Sequence, residues 1–92
     1  GADFDLEAFA HRAHYDAAGQ RIETFLVSRR AQRVAIGEHA FDFTAGEAMQ
    51  VEYSHKYDDA SFAALAAEAG LRVVEAWNDP LDWFGQRLLV PA

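Results

Sequence analysis

None of the 92 residues is cysteine, so disulfide frameworks and thiolate metal sites are excluded. There are two prolines, no low-complexity linker and no apolar run approaching membrane-spanning length. No signal peptide is visible at the start. Lysine is nearly missing as well: Lys56 stands alone beside seven arginines, and the net charge of −7 argues against a nucleic-acid-binding surface. Arg29, Arg30 and Arg33 cluster, but between two strand-like segments, where a short basic turn reads as a solvated loop. These absences point to a cytoplasmic setting and a small-molecule or protein partner, with neither nucleic acid nor membrane. What is present is apolar. Hydrophobic residues make up 51% and aromatics 13%, enough for one ordered domain or a piece of a larger one.

Along the chain, residues 6–15 read as a helix, with Asp5 as N-cap and Phe4 stapled against the first turn. Leu6, Phe9, Ala10 and Ala13 then share a face opposite Glu7, His11 and His14. Strand-like segments follow at 21–28, at 32–36 continuing through 40–44, and at 47–54, separated by turn signals that favour an antiparallel meander. After Tyr57 the period changes. Asp58 reads as an N-cap, Phe62, Leu65, Ala66 and Ala69 recur at helical spacing, and Gly70 closes the helix. Strands at 71–77 and 84–90 end the chain around an Asn78-Asp79-Pro80 turn, with Trp83 capping the core. Val73 and Trp77 are expected on one face of the first of these strands, with Val74 and Ala76 on the other. Strands apolar on both faces sit inside covered sheets, and one short helix cannot cover both sides of a ribbon. The second half thus reads as part of a larger α/β protein, or of a chain that pairs with a copy of itself.

The residues with the most chemistry are Glu52 and Ser54. Two positions apart on a strand, they emerge on one face, with Gln50 expected behind them. A carboxylate only accepts hydrogen bonds, whereas a hydroxyl can donate, so the pair suits a neutral imidazole: one group takes its N–H and the other meets its bare nitrogen. His11 and His14 have the spacing of two metal ligands on a helix, but no third ligand accompanies them, and they read as solvated. A Ser54–His55–Asp58 triad is excluded, because strand neighbours point to opposite faces. No glycine-rich phosphate loop or dinucleotide fingerprint is present.

Several short blocks together resemble the histidine Nα-methyltransferases of ergothioneine biosynthesis. They run from Gly1-Ala2-Asp3-Phe4-Asp5-Leu6-Glu7-Ala8-Phe9 and His11-Arg12-Ala13, through Arg21-Ile22-Glu23 and Leu26-Val27-Ser28-Arg29-Arg30, to Ala45-Gly46-Glu47. Glu52, Ser54, Lys56 and Tyr57 continue the series, as do Phe62-Ala63-Ala64-Leu65-Ala66, Ala69-Gly70-Leu71, Trp77 and Asp79-Pro80. The resemblance covers essentially the whole chain as the C-terminal part of a longer enzyme. It implies an α+β fold in two pieces. Residues 1–57, an N-terminal helix plus antiparallel β-meander, would be part of a substrate-binding domain. Residues 58–92 would be a helix–strand–strand unit closing a Rossmann-like methyltransferase sheet that is otherwise absent here.

The resemblance further implies that Glu52 and Ser54 bind the substrate imidazole while the α-amine attacks the methyl group of S-adenosylmethionine (SAM). The cofactor site would lie upstream, with none of it on this chain. Thr24 stands where members of the family often carry methionine near the substrate ring, so it is a third candidate substrate-binding residue, and it reopens the choice between histidine and another aromatic amino acid. Tyr53 is expected to face away. The competing expectations are a free-standing, non-catalytic α+β binding or dimerisation module, and a methyltransferase for another aromatic substrate. A homodimer through exposed strands is the expected state of the isolated chain.

Overall fold

Where helical spacing predicts the first helix, the chain forms a strand. In the computed structural model, which describes all 92 residues, Asp5 does act as a cap: its Oδ1 accepts from the Glu7 amide at 3.1 Å. It caps only a single 3-10 turn, Leu6–Ala8, after which Phe9 is extended. Strand β1 (Phe9–Asp16) then pairs antiparallel with β2 (Arg21–Ser28) along its full length, from Phe9↔Ser28 to Asp16↔Arg21. The expected N-terminal helix is thus corrected. An isolated helix of that length is marginal in water, whereas β2 offers every residue a ladder partner.

Strands β3 (Gln32–Ile36), β4 (His39–Phe43) and β5 (Ala48–His55) do not continue a simple meander. The three-stranded sheet has the order β1-β2-β5, and β3 and β4 form a separate two-stranded hairpin inserted between β2 and β5. The segment expected to continue from 32–36 through 40–44 instead reverses at Gly37-Glu38. Gly37 takes φ +58 at the first position of the two-residue loop, a conformation a side chain would resist and type II′ hairpins require.

Ser28 ties these strands together. It is 1% exposed, and its hydroxyl donates to the Arg30 carbonyl at 2.7 Å while accepting from Gln32 Nε2 at 2.6 Å. Its backbone N–H reaches the Glu47 carbonyl and its carbonyl receives the Gly46 N–H, so β2 is handed directly to β5. The Arg29 N–H bonds the Ala8 carbonyl, adding the entry to β1. Around this point lie the buried Ala8 and Val34, and a chain of edge-to-face rings, Phe4 on Phe9 at 5.7 Å and Phe9 on Phe43 at 5.4 Å.

Gly1–Lys56 is one compact unit and Tyr57–Ala92 another. In the second, the helix α1 (Asp59–Glu68) opens on a capping box: Asp58 Oδ1 accepts from the Ser61 amide at 2.7 Å, and Ser61 Oγ accepts from the Asp58 amide at 3.0 Å. Gly70, at φ +74, turns the chain out of the helix. Strands β6 (Leu71–Asn78) and β7 (Gly85–Pro91) pair antiparallel, with Val74 as an extra residue between Val73↔Leu89 and Glu75↔Leu88. That bulge corrects the expected faces, because it reverses the alternation. Val73 and Leu89 share a side with Arg87, which reaches Asp59 on α1, whereas Trp77 and Leu88 share the other. Trp77 is 52% and Leu88 49% exposed, so the helix covers one side of the hairpin only. Trp83 is 87% exposed and caps no core.

Two outcomes test this description. Ser28→Ala leaves the Arg30 carbonyl without its hydroxyl donor and Gln32 without its hydroxyl acceptor, and should lower stability in urea denaturation by about 1–3 kcal/mol. An unchanged midpoint would show that water replaces both bonds. In the loop before β7, Asp79 accepts from the amides of Phe84 at 2.8 Å and Leu81 at 3.2 Å. Chiefly through the Phe84 bond, its carboxyl is held below the ordinary aspartate range, against the opposing effect of desolvation. A depressed carboxyl stabilises the fold above its unfolded value, and that contribution is lost as pH falls through the folded one. The Phe84 amide resonance should therefore titrate below the usual aspartate range. A midpoint at or above that range contradicts the assignment.

Candidate functional site

The two faces of the β1-β2-β5 sheet differ in chemistry, and the pairing register decides which residues meet. Thr24 lies opposite Glu52 and Ile22 opposite Ser54. Directly opposed residues share a face at about 4.5–5.5 Å between Cβ atoms, so Thr24, Glu52 and Ser54 form one group, as the strand alternation predicts for the last two. Gln50 does not join them. Between Thr24↔Glu52 and Phe25↔Gln50, β5 carries one extra residue, Val51, and this bulge turns Gln50 to the side of Phe25.

Across the candidate face, β1 adds Ala13 opposite Thr24 and Tyr15 opposite Ile22. Further along the same face, Phe9, Leu26 and Met49 join Phe4 and Leu6 to line an apolar basin of about 300 Å³. None of Thr24, Glu52 and Ser54 lines this basin; its lining starts at Leu26, two residues along β2 from Thr24.

The polar groups are in different states. The Ser54 hydroxyl accepts a hydrogen bond from Lys56 Nζ at 2.8 Å and is half-buried. Glu52 is exposed and belongs to none of the chain's ion pairs, so its carboxylate is free to accept from a ligand. Thr24 is half-buried beside it. The arrangement offers one charged acceptor and one hydroxyl whose oxygen is already engaged. Lys56 was not singled out for a role by spacing. The signal was there, since Ser54 and Lys56 are two apart on extended chain, like Glu52 and Ser54.

On the opposite face, the Arg21 guanidinium lies over the Tyr53 ring at 4.0 Å and bonds Glu23 at 3.1 Å. Arg12 lies over Phe25 at 5.2 Å. Tyr53 thus faces away from Glu52 and Ser54, with His55 beside it. Because Phe9–Asp16 is a strand, His11 and His14 point to opposite faces and cannot share a ligand; no group of three His, Asp or Glu side chains is arranged to hold a metal. No helix is long and apolar enough to cross a membrane.

The chain's one strand-to-α-helix connection leads from His55 to Asp58 without a glycine, and the helix N-terminus is filled by its own capping box. That helix N-terminus therefore lacks the open amides of a phosphate-binding turn.

Compared with known proteins, residues 1–91 match the family described as histidine-specific methyltransferase, SAM-dependent. The chain is 46% identical over 91 residues to a histidine N-alpha-methyltransferase of Mycolicibacterium smegmatis, covering 97% of this chain and 28% of that protein. A histidine N-alpha-methyltransferase of Mycobacterium tuberculosis is 40% identical over 89 residues, covering 95% of this chain and 28% of that one. The N-methyltransferase imqF of Aspergillus flavus is 27% identical over 66 residues, 72% of this chain and 18% of its own length. The chain thus spans little more than a quarter of the length of the first two relatives.

Proposed function

This chain belongs to the family of SAM-dependent, histidine-specific methyltransferases, and from that premise we propose that it is the C-terminal, ring-binding part of an enzyme that methylates the α-amine of histidine. The reading rests above all on one observation: Thr24, Glu52 and Ser54 meet on a single sheet face, with an acceptor-only carboxylate next to a hydroxyl. Glu52 takes the ring N–H, and Ser54 donates to the other ring nitrogen. Both hold the ring end of the substrate and not the amine, so their part is specificity and orientation. The cofactor's binding residues are assigned to the remainder of the enzyme.

In this reading, Gly1–Lys56 belongs to the substrate-binding domain. Tyr57–Ala92 supplies the last helix and strand pair of a Rossmann-like sheet, in an α+β arrangement. The uncovered Trp77 and Leu88 side of the β6–β7 hairpin supports this, since such a surface matches a sheet packed on both faces.

The test is calorimetric titration of the full-length enzyme with histidine. Glu52→Ala should weaken binding by about tenfold or more, because a charge-assisted hydrogen bond to a desolvated ring contributes about 1.5–3 kcal/mol. Unchanged affinity would sink the ring-anchor role. Thr24 stands directly opposite Glu52, so the same titration with tryptophan decides the ring: binding tighter than that of histidine would move the substrate to another aromatic amino acid.

A further inference from the structure

We propose that Lys56 is a positioning residue that makes Ser54 a hydrogen-bond donor, and so commits this face to the neutral form of an imidazole. The inference rests on the ring-binding reading above and adds to it the residue that sets the direction of the Ser54 hydroxyl.

An ammonium has three N–H groups and no acceptor, so in the 2.8 Å contact the Ser54 oxygen must be the acceptor. The single hydroxyl proton is thereby turned away from Nζ and offered to a ligand. Glu52, two residues back on the same face, can only accept. The two groups then read opposite edges of a ring: N–H at Glu52 and a bare nitrogen lone pair at Ser54. An imidazolium carries N–H on both nitrogens, so it would meet a donor at Ser54 and an ammonium of like charge beside it.

Lys56 is held where this requires. Its backbone N–H bonds the Gln20 carbonyl at 2.7 Å, and the preceding residue, His55, is the last of β5 and pairs with Arg21. It forms no ion pair with Glu52, which stays available. The other titratable groups facing the site are Glu52 itself and, on β1, Tyr15 and His11. From β2 Ile22, Thr24, Leu26 and Ser28 face this way, and none is charged. Arg21, Glu23 and His55 belong to the opposite face, where Arg21 also lies near Asp16 at 3.8 Å.

The experiment uses the full-length enzyme, with histidine affinity measured calorimetrically at about pH 7.5 and about pH 5.5, either side of an imidazole pKa near 6.5. The natural enzyme should lose about tenfold in affinity across that interval, following the neutral ring fraction. Lys56→Gln should bind several-fold more weakly at the higher pH and lose threefold or less on acidification, because Glu52 now attracts a charged ring unopposed. Lys56→Arg should keep the steep profile. In a Ser54→Ala background, Lys56→Gln should cause little further loss at the higher pH. A Lys56→Gln profile as steep as the natural one, or losses that add in full, would overturn the proposal and leave Lys56 a strand-end residue. If Glu52→Ala leaves histidine affinity unchanged, the ring-binding reading itself fails. If Glu52→Ala weakens binding while Lys56→Gln keeps the slope, only the role of Lys56 fails.

Discussion

Strand β2 carries the two ladders on which the site depends. It pairs with β1 along one edge and β5 along the other, so its alternation fixes which residues of three strands share a face. A slip of one residue against β5 would send Glu52 and Ser54 to the side now held by Arg21 and Tyr53. Two local features pin the register. Ser28 clamps the end of β2 onto the start of β5 through the Glu47 and Gly46 backbone bonds. Val51 then absorbs one extra residue, so that a strand entering from that clamp still presents Glu52 to Thr24.

The sheet's two faces divide the work. One holds an acceptor, a hydroxyl bonded to Lys56 and, further along the strands, an apolar basin. The other is occupied by stacked pairs, Arg21 on Tyr53 and Arg12 on Phe25, with Glu23 bonded to Arg21. Guanidinium groups over aromatic rings cover apolar surface while staying partly hydrated. They also keep the arginines engaged away from the face where a cation beside Glu52 would compete for its oxygens.

In Tyr57–Ala92 the same logic appears in an incomplete form. The capping box, Gly70 and the Arg87–Asp59 bond define a helix laid on one side of a hairpin. The bulge at Val74 sends Trp77 and Leu88 to the other side, where nothing in this unit meets them. Exposed apolar side chains of that size are unusual on a free-standing ribbon, and they accord with a chain that spans little more than a quarter of its relatives' length.

The sequence by itself determined the elements whose signals are local. Asp58 with Ser61 at the start, the alanine-rich run between, and Gly70 at the end specify α1, because caps and helix propensity act within a few residues; the expected apolar face is not fully covered, since Ala66 is buried but Leu65 is exposed. The extent of β2 and the shared face of Glu52 and Ser54 were also legible, since alternation along one strand needs no partner. What only the tertiary structure decided depends on pairing. Phe9–Asp16 has a period compatible with a helix, and it became a strand because β2 supplied a ladder. Gln50 left the site, and Trp77 parted from Val73, because bulges reset alternation at a place set by the neighbouring strand and not by the residues themselves. Thr24 came to face Glu52, and Lys56 to orient Ser54, only once long-range register and a pinned strand end had brought those side chains within reach.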